Sequence, residues 1–172
     1  MRPQVGNQLD QWFNKDGTPT EFGFERLKFL LENGPELLTI TASITMTKGY
    51  NGALVVINAA AGLTVTLPPS DGGNARYRFL IGTTVTSNNV IIKVANTTDA
   101  FLGQSMMVSD DPATVKGFIA ASGDDTITLN GSTKGGFLGD QIEIVDIERG
   151  KFAVRITGKQ TGTEATMFSA TV

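Results

Sequence analysis

Apolar and polar residues alternate along most of the chain after residue 37. In the clearest run, residues 38–47, apolar side chains occupy every second position and Thr or Ser the positions between them. Successive side chains of a strand point to opposite faces, so this period of two predicts a strand with one buried face. Turn-forming residues follow the run and separate it from the next one.

Further runs follow to the end of the chain, most of them alternating, although residues 53–58, ALVVIN, are a continuous apolar run that fits a strand covered on both faces. They predict strands at residues 53–58, 63–67, 76–81, 90–94, 105–108, 115–120, 126–130, 141–147, 152–156 and 168–172, with loops in the rest of 97–112. About ten short strands at intervals of roughly 8–12 residues are typical of an antiparallel β-sandwich or a barrel-like domain. The chain has no repeat of fixed length, which argues against a β-helix or a propeller.

Residues 16–35 carry the one convincing helix pattern. Thr18 suits the N-cap, Pro19 the first helical position, and Glu21 the position three residues after the cap. Asn-Gly-Pro at residues 33–35 is a matching stop signal. The sequence therefore predicts a mainly β fold with a short N-terminal α-helical arm.

The apolar side chains of this helix cover about twice the arc of roughly 100° that a surface helix needs. We therefore expect the helix to pack on its own β-domain and on another chain. The alternative is a helix buried deeply in its own fold. Residues 1–17 are polar around an aromatic pair that suits an interface, although a frayed tail is the alternative. The predicted interface residues are Trp12, Phe13, Phe22, Phe24, Leu27, Phe29, Leu30 and Leu31.

The length and composition limit the organisation and the partners. With 172 residues, the chain divides into an arm with a docking helix, residues 1–35, and an antiparallel β-domain, residues 36–172. The net charge is −3 and no basic block occurs, so we expect no direct nucleic-acid binding. The N-terminus lacks an apolar core of signal-peptide length, and no apolar run reaches about 18 residues, so we expect no membrane-spanning helix.

Several kinds of chemistry are excluded by composition. The chain has no Cys and no His, so it lacks thiolate ligands, the commonest zinc ligand and the usual general base. Two carboxylates can serve a glycosidase, but isolated Asp and Glu residues on short strands provide no spacing that indicates one. We expect a structural or binding protein with no catalytic residues.

Two acidic pairs in predicted turns are the candidate metal ligands. They are Asp110 with Asp111, and Asp124 with Asp125. Calcium requires oxygen ligands that converge from several positions, and neither pair stands in a D-x-D-x-D-G loop. We therefore expect solvated turn carboxylates, no metal site and no cofactor.

Three stretches of the chain resemble tailed-bacteriophage virion proteins. Residues 57–94, INAAAGLTVTLPPSDGGNARYRFLIGTTVTSNNVIIKV, are similar to a β-domain of many such proteins. Residues 138–158, LGDQIEIVDIERGKFAVRITG, resemble its closing hairpin, although residues 148–150 replace a more usual Asp-Gly turn and alanine follows Phe152 where a second aromatic is often seen. Residues 12–32, WFNKDGTPTEFGFERLKFLLE, resemble the N-terminal helix of phage tail and head accessory proteins.

This resemblance implies a virion component made in the bacterial host cytoplasm. The leading interpretation is a non-enzymatic capsid decoration (cement) protein that binds and stabilises the major capsid protein lattice. A homotrimer is expected because a capsid offers three-fold sites that a closed oligomer can match. A short head or tail fibre, or its adaptor, bound to another virion protein is the closest alternative. A carbohydrate-binding β-sandwich for host surface glycans is a further alternative, and it would favour exposed aromatic side chains on one sheet face.

Overall fold

The computed structural model describes residues 37–111 and 114–172, together with Asn14, Thr18, Thr20 and Glu21. The chain divides into two compact units, Met1–Glu36 and Leu37–Val172. In the first unit, the Asn14 N–H donates to the carbonyl oxygen of Thr18 at 2.7 Å, and the Asn14 side chain donates to the Thr18 hydroxyl at 3.0 Å. Of the predicted helix, the description reaches only Glu21, which is helical, and two residues before it. The helical arm therefore stays a prediction.

The second unit is built almost entirely of strands. They are β1 (Leu37–Ile40), β2 (Ile44–Thr45), β3 (Leu54–Ile57), β4 (Leu63–Thr66), β5 (Arg76–Ile81), β6 (Val90–Lys93), β7 (Ala100–Val108), β8 (Val115–Ile119), β9 (Thr126–Leu129), β10 (Gln141–Glu148), β11 (Lys151–Lys159) and β12 (Phe168–Ser169). A single 3-10 turn, Lys48–Tyr50, interrupts the described series between β2 and β3.

The strands form two mixed sheets. The seven-stranded sheet has the order β1-β3-β5-β10-β11-β7-β8, and the five-stranded sheet has the order β12-β9-β6-β4-β2. Each sheet ends in an edge strand on both sides, so the strands described here do not close into a barrel. The expected mainly β fold is confirmed, and the barrel-like alternative is wrong for this part of the chain.

The first six strands alternate between the two sheets. β1, β3 and β5 lie in the seven-stranded sheet, and β2, β4 and β6 lie in the five-stranded sheet. Within each set of three, successive strands pair in parallel. This path follows three coils of a β-solenoid, so the expectation of an antiparallel domain is wrong for this half. The register aligns Leu37 with Leu54 and Leu54 with Arg78, which are offsets of 17 and 24 residues. Unequal coils leave no fixed repeat, and the argument against a β-helix therefore fails here.

The second half of the unit is mainly antiparallel. β9 pairs with β6, β10 with β5, and β12 with β9, all in antiparallel register. β10 and β11 form the hairpin that the sequence predicts, with Gly150 at φ +83° in its turn. β7 is the exception, since it runs parallel to β11 and antiparallel to β8.

One hydrophobic core draws side chains from both sheets. Tyr77 and Phe79 of β5 are each 1% exposed, and Phe101 of β7 packs on Phe152 of β11 with ring centroids 6.2 Å apart. Because successive side chains of a strand alternate, burial of these residues turns their neighbours to the outer face of the seven-stranded sheet. That outer face carries the candidate site.

The predicted strand at residues 38–47 is in fact two strands in different sheets. β1 ends at Ile40 and β2 begins at Ile44, with a bend between them. Ile40 and Met46 are buried, whereas Ala42 in the bend is exposed. The apolar alternation continues through the bend, so the pattern does not reveal where the chain changes sheet.

β7 is also longer than the sequence predicts. Residues 97–112 were expected to form loops around a short strand at 105–108, but β7 begins at Ala100. Phe101 and Met107 are buried while Leu102 and Met106 are exposed. Apolar side chains on both faces hide the alternation that identifies a strand.

Candidate interaction surface

Three neighbouring strands place charged side chains together on the outer face of the seven-stranded sheet. In β5, Arg76 and Arg78 are exposed because the residues that follow each of them are buried. The register sets Glu143 of β10 opposite Arg78 on one side and opposite Arg155 of β11 on the other. Directly opposite residues in antiparallel strands share a face. We call Arg76, Arg78, Glu143 and Arg155 the arginine groove.

The surface is concave at this cluster. A hollow of about 560 Å³ is lined in part by Arg78, Glu143 and Arg155. A second hollow of about 220 Å³ shares Glu143 and Arg155 and adds Arg76. Gln141 and Thr157 add polar groups to the larger hollow. The four charged side chains therefore line two neighbouring hollows that share Glu143 and Arg155.

Positive charge is in excess in the arginine groove. Arg78 Nη2 donates to the carbonyl oxygen of Gly52 at 2.9 Å. The ion pairs among the described residues join Lys48 to Asp71 and Lys151 to Glu148, so none of them involves the groove. Three arginines around one glutamate leave about two positive charges in excess, in a chain whose net charge is −3.

An exposed apolar surface continues from the groove to the edge of the same sheet. Its residues, which we call the apolar edge, are Leu102, Met106, Val108, Val115 and Ile119. Ile119 is 79% exposed and Val115 60% exposed. The register places the β7 part of this surface beside β11, with Gln104 next to Arg155. The two surfaces are therefore continuous.

The arginine groove and the apolar edge carry Arg and Met, which are enriched in protein–protein contacts. The same outer face also carries the exposed Lys151 and Lys159 of β11. The outward residues of β5, β7, β8, β10 and β11 include no Trp, Tyr or Phe. A glycan-binding face requires aromatic platforms, so this surface does not favour the carbohydrate-binding alternative.

The candidate metal ligands instead serve as hydrogen-bond acceptors: Asp111 accepts the Thr114 hydroxyl at 3.0 Å, and the other three accept backbone N–H groups. Asp110 accepts the N–H of Gly162 at 3.0 Å, and this bond lowers the pKa of its carboxyl. Asp124 accepts the N–H of Ala121 at 2.7 Å. Among the described residues, no three or more Asp and Glu side chains converge as a metal site would require.

Asp125 is not the solvated turn residue that the sequence predicts, because its side chain is buried. It accepts the N–H of Thr171 at 2.8 Å, the N–H of Val172 at 3.1 Å and the Thr126 hydroxyl at 2.8 Å. Burial opposes ionisation, but these hydrogen bonds outweigh it and lower the pKa of Asp125. The carboxylate thus anchors the last residues of the chain.

Sequence reasoning missed three further buried aspartates with structural roles. Asp99, Asp140 and Asp146 each accept at least two hydrogen bonds from loop groups. Their partners lie up to 76 residues away in sequence. No local signal indicates that contact. For Asp140, the one local signal is the pair of glycines at residues 135–136, which indicates a turn whose N–H groups are close to this side chain.

The residues predicted to form an interface lie outside the described part of the chain. This holds for Trp12, Phe13, Phe22, Phe24, Leu27, Phe29, Leu30 and Leu31. Their role stays a prediction. The arginine groove was visible in part, since Arg76 and Arg78 alternate with apolar residues, but the adjacency of β5, β10 and β11 was not.

No protein-family model and no curated protein matches the chain. No helix in the described residues has the length and apolar character needed to cross a membrane.

Proposed function

We propose that the protein is a non-enzymatic structural component of a tailed-bacteriophage virion. In this role it decorates the capsid as a cement protein, bound to the major capsid protein and present as a homo-oligomer, with a trimer expected at three-fold sites. The observation that carries the proposal is the outer face of the seven-stranded sheet, where an arginine groove adjoins exposed apolar side chains. The assignment to a virion depends on the resemblance of residues 57–94 and 138–158 to tailed-bacteriophage virion proteins.

The groove fits an acidic surface on the capsid. Arg binds carboxylates through two parallel hydrogen bonds, and a concave site partly excludes water, so its contribution exceeds that of an exposed ion pair. Burial of the apolar edge against the capsid adds a hydrophobic contribution, which depends on the area buried and not on a particular orientation of the side chains. Because the protein binds only the assembled lattice, binding shifts the equilibrium towards the assembled state by mass action.

Electron microscopy of particles tests the assignment. An antibody against the chain, detected by gold on purified virions, should label the capsid surface. Label confined to the tail would support the fibre or adaptor alternative instead. Absence of label, together with absence of the chain from the purified particle, would overturn the virion role.

Charge reversal tests the groove itself. The variant Arg78→Glu with Arg155→Glu should lose at least tenfold in affinity for particles that lack this protein, because truncating or reversing a charge in a partly buried contact costs about 2–5 kcal/mol. The matched control is Lys93→Glu with Lys134→Glu, which makes the same change in net charge outside the groove. Equal binding by both variants would show that the groove is not the contact.

A further inference from the structure

The outermost strand of the seven-stranded sheet, β8, has one edge with no neighbouring strand among the described residues. Its hydrogen bonds to β7 identify which backbone groups are unpaired. Ala120 N–H donates to the Gly103 carbonyl at 3.0 Å, and Ser109 N–H donates to the Thr114 carbonyl at 3.0 Å.

The remaining backbone directions follow from this pattern. In an antiparallel pair, every second residue directs both its N–H and its C=O to the partner strand. The backbone N–H and C=O groups of Lys116 and Phe118 therefore point towards β7, as those of Thr114 and Ala120 do. The backbone groups of Val115, Gly117 and Ile119 consequently point away from the sheet.

We propose that two copies of this chain join edge to edge through β8, antiparallel, about a two-fold axis at Gly117. In this register Gly117 meets Gly117 of the second copy, and Val115 meets Ile119 of the second copy on both sides of the axis. All three positions are those with outward backbone groups. Each such pair exchanges two hydrogen bonds, so the contact forms about six.

The sequence of β8 complements itself in this register. Val115, Gly117 and Ile119 form one face, so an apolar side chain of each copy lies opposite an apolar side chain of the other. On the opposite face, Lys116 lies opposite Phe118 of the second copy, an arrangement that permits cation–π contact. The two Lys116 ammonium groups, which would repel each other, are kept apart.

The exposure of the strand favours a second copy as the occupant. Natural edge strands are usually protected by charged residues, Pro or bulges, yet β8 has one Lys and two large aliphatic residues that are 60% and 79% exposed. Met106 and Val108 of β7 extend the same apolar surface, at 54% and 52% exposed. A closed two-fold contact pairs the open strand edge of β8 on both copies at once, because such an interface uses the same patch twice, and it leaves the outer face of β7 free.

This inference does not rest on the virion role. A two-fold contact closes after two copies, whereas the trimer expected from capsid symmetry requires a different contact. Finding a dimer would remove the trimer from the proposed function and would leave the capsid assignment to be decided by electron microscopy.

A charge-swap series tests the register. Val115→Lys with Ile119→Lys places like charges opposite each other at two positions and should raise the dimer dissociation constant at least tenfold. Val115→Glu with Ile119→Lys places opposite charges together and should keep the dimer. Within one copy these two positions are four residues apart on an extended strand, roughly 13 Å, so any rescue must arise between copies.

Light scattering of the full chain at low salt, over a range of protein concentrations, provides the readout. The wild type should have twice the monomer mass, and mixing the Lys–Lys variant with its Glu–Glu counterpart should restore that mass. A wild type of monomer mass at all concentrations, or of three times that mass, overturns the proposal. An unchanged dimer in the Lys–Lys variant also overturns it, as does equal weakening in the Glu–Lys variant.

Substitution at the axis provides a second, independent test. Gly117→Pro removes an outward N–H that β7 does not use, so it should give a monomer with intact β7–β8 pairing. Gly117→Ala keeps that N–H, and its added Cβ would lie 3.7 Å from the nearest atom, the Ser105 carbonyl oxygen, so it should stay dimeric. Circular dichroism confirms that each variant is folded. A dimeric, folded Gly117→Pro variant contradicts the proposal.

Discussion

Ser70 and Asp146 are joined by a hydrogen bond of 2.8 Å between buried side chains, although 76 residues separate them in the sequence. The same carboxylate accepts the N–H of Gly72 at 2.8 Å and that of Asp71 at 3.1 Å. These groups belong to the loop that carries the chain from β4 in one sheet to β5 in the other. Asp146 of β10 thus holds the crossover that positions Arg76 and Arg78.

Removal of this carboxylate should destabilise the whole β unit. In Asp146→Ala, the N–H groups of Asp71 and Gly72 lose their acceptor and the Ser70 hydroxyl keeps only carbonyl acceptors, so we expect the free energy of unfolding to fall by about 3 kcal/mol. Glu148→Ala, two residues further along β10, is the matched control. It removes only an exposed ion pair with Lys151 and should cost less than about 1 kcal/mol. Urea unfolding measures both, and equal losses would contradict the assigned role of Asp146.

Asp140 should make stability depend on pH in an unusual direction. Burial raises the pKa of its carboxyl, against the lowering effect of the N–H groups of Gly136, Phe137 and Lys159. A carboxyl whose folded pKa lies above its unfolded value of about 3.9 binds its proton more tightly in the folded state. Its contribution to stability is therefore full below that unfolded value, and it is lost as pH rises through the raised folded value.

Comparison with Asp140→Asn isolates this effect, because the asparagine does not titrate. The unfolding free energy of the wild type minus that of the variant should grow as pH falls from 7 to about 4. The growth should be about 1.4 kcal/mol for each unit by which the pKa is raised. Glu148→Gln controls for the general loss of a carboxylate. A difference that stays constant with pH, or that shrinks on acidification, would show that the pKa of Asp140 is not raised.

Asp125 should behave in the opposite way. Its pKa is lowered, so its contribution is present above the ordinary value of an aspartate and is lost as pH falls through the folded value. Asp125→Ala should cost about 2 kcal/mol at neutral pH, because the N–H groups of Thr171 and Val172 lose their acceptor. The cost should shrink on acidification, when the wild-type carboxyl is protonated as well. Chemical unfolding at several pH values measures it, and a cost that rises towards low pH would contradict the assignment.

The strands could be predicted from local pattern where one face is buried and the other is polar. β5 is the clear case, since Tyr77 and Phe79 alternate with arginines and the strand was located correctly. β7 was not, because exposed Leu102 and Met106 fill the face that should be polar. The same exposed residues that hide the strand are the ones that indicate a contact surface.

Pairing could not be predicted in the same way. A period of two reports which side chains share a face and does not report which strands are neighbours or in which direction they run. The arginine groove exists only because Glu143 lies between Arg78 and Arg155, which are 65 and 12 residues away from it in the sequence. The long-range hydrogen bond from Ser70 to Asp146 was beyond sequence reasoning for the same reason.

Residues 1–17 belong to the first of the two units, Met1–Glu36. Residues 1–17 are polar except for a few anchors such as Trp12 and Phe13, and so short a segment cannot build a core of its own. Full burial of two aromatic side chains contributes on the order of 5 kcal/mol. We therefore expect Trp12 and Phe13 to carry the attachment made by this segment.

Deletion of residues 1–17 should leave the β unit folded and abolish binding to particles, because we expect attachment to require this segment as well as the arginine groove. Co-sedimentation of the truncated protein with undecorated capsids measures binding, and circular dichroism with thermal unfolding verifies the fold. Trp12→Ala with Phe13→Ala in the full chain is the sharper comparison, since it keeps the length and charge of the segment while removing the apolar area. Undiminished binding by both proteins would assign attachment to the arginine groove and the apolar edge alone. Loss of binding in the truncated protein, with normal binding by the double alanine variant, would assign it to the polar groups of the segment.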